Sequence, residues 1–403
     1  MTAAARGTRD ATEERPPGVR ASATYLPELE SLRGIAIVLV VLYHTDAIVC
    51  RTEGASGIVA TPLSAFVHAG HSGVTLFFVL SGFLLSLPFF AEAAGRKRVR
   101  LGDYYRRRAL RILPLYYAAV LVASVLTAAT AADVLRGLPY LTFLNAFADV
   151  ATPLPPYSGV WWSLATEVQF YLLLPLLPVC LRSRRGRWIG ALALGSYIAA
   201  YASYLRGTFP IHAISGQLSL GLSLFGRAPV FLLGMAIAAL YLHRGEKLRS
   251  WLASALPARW AVADLLLLAL LFAQGCLLRW AAFKGAWGSE VHPFHLWHVV
   301  EGFLWAAVLA WVLLAPLRSK RMFSSRLLRT LGVLSYSIYM LHYPVIRGSF
   351  DALRSVQVLS PVGWHARSYA ASLGLFVVCV ALSSVTYAGI ERPFLERKAR
   401  IDR

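Results

Sequence analysis

Three apolar stretches of this chain carry ionisable residues at helical spacing. In Ser31-Leu-Arg-Gly-Ile-Ala-Ile-Val-Leu-Val-Val-Leu-Tyr-His44, Arg33 and His44 lie eleven residues apart. On a helix, eleven steps of about 100° return to nearly the same face, and a rise of about 1.5 Å per residue sets His44 roughly 16 Å beyond Arg33. With Arg33 at the polar edge of a hydrocarbon core about 30 Å thick, the ring falls near the midplane. Ionisable groups there are costly and mark function by default. An imidazole titrates near neutrality, which suits a general base. The second stretch, Gly159-Val-Trp-Trp-Ser-Leu-Ala-Thr-Glu-Val-Gln-Phe-Tyr171, sets Ser163 and Tyr171 four residues either side of Glu167, on one face. A carboxylate in such a segment must face a cavity or a partner. The third, Leu331-Gly-Val-Leu-Ser-Tyr-Ser-Ile-Tyr-Met-Leu-His342, lines up Ser335, Tyr339 and His342. Two histidines and a glutamate thus reach similar depth from three segments. Glu167 is expected to orient and charge-balance His44, as the acid of a catalytic triad does.

Cations complete the set. Arg108 and Arg111 are i,i+3 neighbours in Arg106-Arg-Arg-Ala-Leu-Arg-Ile-Leu-Pro114. Their planar guanidinium groups suit phosphate oxygens, and Arg33 can serve the same purpose. Arg106 and Arg107 read as topological charges facing lipid headgroups. The stretch His71-Ser-Gly-Val-Thr-Leu-Phe-Phe-Val-Leu-Ser-Gly-Phe83 carries Ser81-Gly82 in mid-segment. Small residues there permit close helix approach, and Ser81 would form a thin wall beside a substrate tunnel. His71 reads as a solvated residue at the outer edge, Trp161 and Trp162 as an outer aromatic belt, and Glu391 as a helix-end residue in an ion pair.

Helices must deliver these groups. Of 403 residues, 57% are hydrophobic and only 15% charged, more apolar surface than soluble domains can hide. Ten apolar segments are visible, at about 34–50, 71–91, 109–128, 159–180, 188–205, 221–242, 260–278, 295–315, 331–349 and 368–390. The expected fold is all-α: a polytopic membrane protein of about ten transmembrane helices. With the N-terminus inside and strict alternation, 31 of the 40 Lys and Arg residues fall on the inner side. That bias sets both termini in the cytoplasm of a multi-pass cell-membrane protein. It also accounts for the net charge of +20 without a nucleic-acid partner. Residues 1–25 read as a disordered cytoplasmic tail with no signal-peptide core, 26–395 as the membrane domain, and 396–403 as a cytoplasmic C-terminal tail. Cys50, Cys180, Cys276 and Cys379 form no CxxC pair and read as packing residues, and no metal site is expected.

Taken in order from residue 29 to 395, SLRGIAIVLVVLYH, GVTLFFVLSGFLL, RRRALRILPLYY, WWSLATEVQFYLLLP, FGRAPVFLLGMAIAAL, LGVLSYSIYMLHYPV and ERPFL together resemble the acyltransferase-3 family of membrane O-acyltransferases. The resemblance implies transfer of an acyl group, often acetyl, from cytoplasmic acyl-CoA. The acceptor would be a carbohydrate hydroxyl on an envelope glycan, glycolipid or glycosylated secondary metabolite. Ending just after the last apolar segment, the chain corresponds to the stand-alone form, without a C-terminal hydrolase-like domain. In that frame His44 is the general base and Arg33, Arg108 and Arg111 hold the CoA phosphates. Tyr339 and His342 polarise the thioester carbonyl or guide the acceptor. Direct transfer is expected, with an acyl-histidine intermediate as the competitor. The rival class is a transporter or flippase using the His/Glu cluster as a proton relay.

Overall fold

The structure is a computed structural model; it describes residues 26–50, 61–96, 98–127, 130, 135, 137–145, 158–208, 220–256, 261–283, 291–355 and 364–401. Every regular element among them is helical. The tail at 1–25 lies outside the described residues.

The elements are α1 (Pro27–Thr45), α2 (Pro62–His68), α3 (Ser72–Ala93), α4 (Leu101–Thr127), α5 (Trp162–Leu173), α6 (Leu176–Arg182) and α7 (Arg184–Leu205). They continue with α8 (Leu224–Ala255), α9 (Val262–Phe283), α10 (Val291–Leu314), α11 (Arg326–Ser355), α12 (Trp364–Thr386) and α13 (Arg392–Ile401). Among the described residues nine helical stretches are long and apolar enough to cross a membrane, and the molecule is an all-helical, multi-pass membrane protein. Of the ten expected segments, 331–349 falls short on apolarity. It lies in α11, whose stripe of serines, tyrosines and a histidine is turned into the protein interior: Ser335, Ser337 and His342 are at most 1% exposed. A helix that meets little lipid need not be uniformly apolar.

Three expected boundaries shift. The segment at 159–180 is two helices, α5 and α6, joined at Leu174-Pro175. Helix α11 does not stop at residue 349 but runs from Arg326 through Pro344 to Ser355. Proline inside a buried helix is tolerated because neighbouring groups take up the freed carbonyls. Residues 396–401 continue as the helix α13. Several expected surroundings change too. Trp161 is buried, and Trp162 carries the guanidinium of Arg227 5.2 Å above its ring, so neither belongs to a lipid-facing belt. Arg227, one of the nine Lys and Arg residues left off the inner side by strict alternation, is itself buried inside α8.

Helix α1 sits between α11 and α3, α3 also packs on α8, and α8 packs on α10. Glycine makes these approaches possible. A Cβ at Gly34 would run into the Leu328 carbonyl oxygen of α11, and one at Gly332 into the Glu30 carbonyl oxygen of α1. Gly82 and Gly234 face each other in the same way across α3 and α8. Without a hydrophobic driving force between helices in lipid, such backbone proximity supplies the van der Waals contact that holds them together. Gly34→Val or Gly332→Val should therefore destabilise the folded protein by about 2–3 kcal/mol through overpacking. Gly374→Ala, where an added methyl meets no atom within 4 Å, should leave the melting temperature of the detergent-solubilised protein unchanged.

Candidate active site

A cavity of about 130 Å³ opens among α1, α3, α4, α5 and α11. Eight of the ten site residues expected from sequence line it: Arg33, Ser81, Arg108, Arg111, Ser163, Glu167, Tyr171 and Tyr339. The other two, His44 and His342, do not line it. They meet each other beyond its wall, His342 Nε2 standing 3.2 Å from His44 Nδ1.

Three guanidinium groups line the cavity. Arg33 donates to Ser335 at 3.2 Å, with the Glu30 carboxylate one helical turn back at 3.8 Å. Arg111 is held from behind by Glu391 at 3.0 Å, and its guanidinium lies 5.6 Å from the Tyr336 ring centroid. Ser337 donates to the other Glu391 oxygen. The expected helix-end pair of Glu391 thus has Arg111 as its partner, in the π-helical turn Tyr387–Glu391. Arg108 lies 5.9 Å over the Tyr171 ring, and its buried Nε has no hydrogen-bond partner among the described residues. A carboxylate and hydroxyls line it as well. Ser81 donates to Glu167, and the i−4 and i+4 neighbours of Glu167 do share its face, as the spacing requires.

Tyr339 joins the cavity to the histidine pair. Its hydroxyl donates to the Val160 carbonyl at 2.5 Å and therefore accepts from Ser163 at 2.7 Å. Its ring stands 5.6 Å from that of His342. With its proton engaged by Val160, Tyr339 braces Ser163 and closes the wall; polarising a thioester carbonyl would require that bond to break.

The tautomers follow from the acceptors. His342 Nδ1 lies 2.8 Å from the Tyr339 carbonyl and 3.1 Å from that of Ile338, so it carries the hydrogen and leaves Nε2 as an acceptor. His44 Nδ1 lies 2.9 Å from the Val40 carbonyl and close to His342 Nε2, so it too is the donor. The basic nitrogen of neutral His44 is then Nε2. His44 is oriented by Val40 and His342 rather than by Glu167, whose carboxylate is held by Ser81. Helix α1 begins at Pro27, six residues before Arg33.

Other polar groups went unread in the sequence. His71, expected as solvated, packs against Tyr43, Trp297 and His298, with centroids 5.1, 5.6 and 6.3 Å away. His298 and Glu301 form an i,i+3 pair at 2.9 Å in α10. His68 and Asp46 pair at 2.8 Å. The signal for α10 was present: two ionisable residues one turn apart in an apolar segment, which packing alone does not require.

The family model described as an acyltransferase domain matches residues 26–386. YrhL of Bacillus subtilis strain 168 is 27% identical over 395 residues, 92% of this chain and 55% of that one. The peptidoglycan O-acetyltransferase OatA of Listeria monocytogenes is 25% identical over 371 residues, 86% of this chain and 53% of that one. The O-acetyltransferase OatA of Staphylococcus aureus strain NCTC 8325 is 26% identical over 174 residues, 39% of this chain and 25% of that one. The chain spans about half the length of the first two of these relatives. No solved structure matches it.

Glu391→Ala should leave Arg111 as an uncompensated, mostly buried cation and cost about 3–5 kcal/mol. The measurement is thermal unfolding in detergent. Pairing that change with Arg111→Leu should recover part of the loss.

Proposed function

This chain belongs to the acyltransferase-3 family, and on that premise we propose that it is a membrane O-acyltransferase. It moves an acyl group, acetyl in the first instance, from acyl-CoA to a hydroxyl of an envelope glycan, with peptidoglycan the leading acceptor class. The observation that carries this reading is one cavity lined by three arginines, a carboxylate and hydroxyls, backed by a histidine pair. A donor with several phosphates matches the arginines. The excess of Lys and Arg on one side supports a cytoplasmic donor, with both termini on that side.

In this mechanism Arg33, Arg108 and Arg111 hold the phosphates by bidentate, charge-assisted hydrogen bonds. Arg108 is the most available of the three, because Glu391 already occupies one edge of Arg111 and Ser335 binds Arg33. Tyr339 must leave Val160 and open the wall for the thioester to pass Ser163 toward the histidines. His44 Nε2 takes the proton of the acceptor hydroxyl as its oxygen attacks the carbonyl carbon. His342 holds the His44 ring in the tautomer that makes this possible. Glu167, fixed by Ser81, receives hydroxyl groups near the reacting carbon. The carbon–sulfur bond breaks and CoA leaves toward the arginines. No metal is required, and the acyl group passes directly from donor to acceptor.

Purified protein in lipid nanodiscs, given labelled acetyl-CoA and peptidoglycan oligosaccharides, tests the proposal. Formation of a labelled, base-labile ester supports it; movement of the glycan across the bilayer without acylation would favour a flippase. His44→Ala should lower turnover by about 10²–10⁴-fold, the span of general-base catalysis, with little change in acetyl-CoA affinity. Arg108→Ala should do the reverse, raising KM for acetyl-CoA roughly tenfold or more.

A further inference from the structure

One short turn of chain holds the wall between the cavity and the histidine pair. Residues 158–161, Ser-Gly-Val-Trp, lead into α5. The Val160 carbonyl accepts from Tyr339 at 2.5 Å. One residue earlier, a Cβ on Gly159 would lie 3.4 Å from the Tyr343 ring, so the glycine backbone sits against that ring. Tyr339 and Tyr343 are i,i+4 neighbours on α11 and share a face. They flank the histidine pair. The Tyr339 ring stands 5.6 Å from His342, and the Tyr343 ring stands edge-on to His44 at 5.3 Å and 87°. The turn therefore touches one tyrosine that lines the cavity and another beside the base itself.

The same turn is anchored by aromatic residues. Tyr140, in the short helix Leu138–Leu141, donates to Ser158 at 2.8 Å. Trp161, 1% exposed, packs against the rings of Tyr116 and Tyr140, each 6.0 Å away. Phe143 stacks on Tyr116 at 4.6 Å and has a φ of +58°, in the left-handed region. A non-glycine residue stays there only when its surroundings impose it. Val160 holds Tyr339, by contrast, through one hydrogen bond between neutral groups, which is easily exchanged.

We propose that this turn is a strap: it keeps the wall shut over a donor waiting in the cavity, and an acceptor arriving at His44 lifts it by pressing on Tyr343. The proposal rests on the acyltransfer reading. Tyr343 is only partly buried, so its ring has room to move when a sugar is brought to His44. The displaced ring pushes on Gly159, because packed groups pass on a shift rather than absorb it. Val160 moves with its neighbour, Tyr339 loses its acceptor, and the thioester passes Ser163. Without an acceptor the strap stays down, and the thioester does not meet water at the histidines. Water attacking the carbonyl carbon in place of the sugar would break the same carbon–sulfur bond and give a carboxylic acid and a thiol, with no ester. Tyr140, Ser158 and Tyr343 are thus positioning residues.

The experiment follows free-thiol release from acetyl-CoA beside ester formation on peptidoglycan oligosaccharides, with the full chain in nanodiscs. The wild type should release thiol at least about tenfold faster with the oligosaccharide than without it, one ester per thiol. Tyr339→Phe, which can no longer bond Val160, should raise acceptor-free release up to about tenfold, the range of one neutral hydrogen bond, and lower the ester formed per thiol. Tyr140→Phe alters no group in the cavity or beside His44, and should raise acceptor-free release about threefold through a looser strap. A purely catalytic or packing role for Tyr339 predicts the opposite: both activities fall and ester per thiol is unchanged. That result overturns the strap. So does wild-type thiol release that ignores the acceptor, or acceptor-free release at the wild-type level in both variants. Should Tyr339→Phe fail to fold, Tyr140→Phe carries the test. A wild type that binds acetyl-CoA but forms no ester defeats the acyltransfer reading itself, a result distinct from failure of the strap alone.

Discussion

The close approach of α1 and α11 is the constraint on which the site depends. Gly34 and Gly332 let the two backbones touch, and that contact fixes two polar pairs at once. At one end Arg33 reaches Ser335; eleven residues further along α1, His44 meets His342. Neither pair survives a separation of a few ångströms, because hydrogen bonds weaken steeply beyond about 3.5 Å. In lipid the helices gain nothing from excluding water, so glycine contacts and buried polar pairs carry the association together. Assembly of the scaffold and assembly of the chemistry are the same event.

The site divides its labour by distance. Three cations, Arg33, Arg108 and Arg111, collect in the open cavity. The histidines lie behind Tyr339, whose hydroxyl is fixed by Val160 and Ser163. This keeps the neutral imidazoles apart from the guanidinium groups, whose charge would otherwise oppose protonation of a base. Glu391, 3% exposed, offsets the charge of Arg111 from outside the cavity, leaving the cavity-facing side for a ligand.

Much of this was legible in the chain. Helical spacing alone placed Ser163, Glu167 and Tyr171 on one face, and the i,i+3 rule placed Arg108 beside Arg111; all five line one cavity. Similar depth brought His44 and His342 together. What spacing could not supply was rotation between helices. Glu167 and His44 were expected to pair because both are ionisable and deep, yet the rotation of α5 turns Glu167 toward Ser81 on α3. His298 and Glu301, one turn apart in an otherwise apolar segment, gave a signal that went unread; their partners appear only when α10 folds against His71 and Thr75.

The central claim is that the arginine cavity and the histidine pair are two ends of one reaction centre. A cryo-EM map of the protein with a non-hydrolysable acetyl-CoA analogue tests it most directly. The account predicts the phosphates on Arg33, Arg108 and Arg111, with the carbonyl carbon of the acyl group past Ser163 and beside the His44–His342 pair. An analogue seated elsewhere, or lying in the cavity with its acyl end turned away from the histidines, would contradict it.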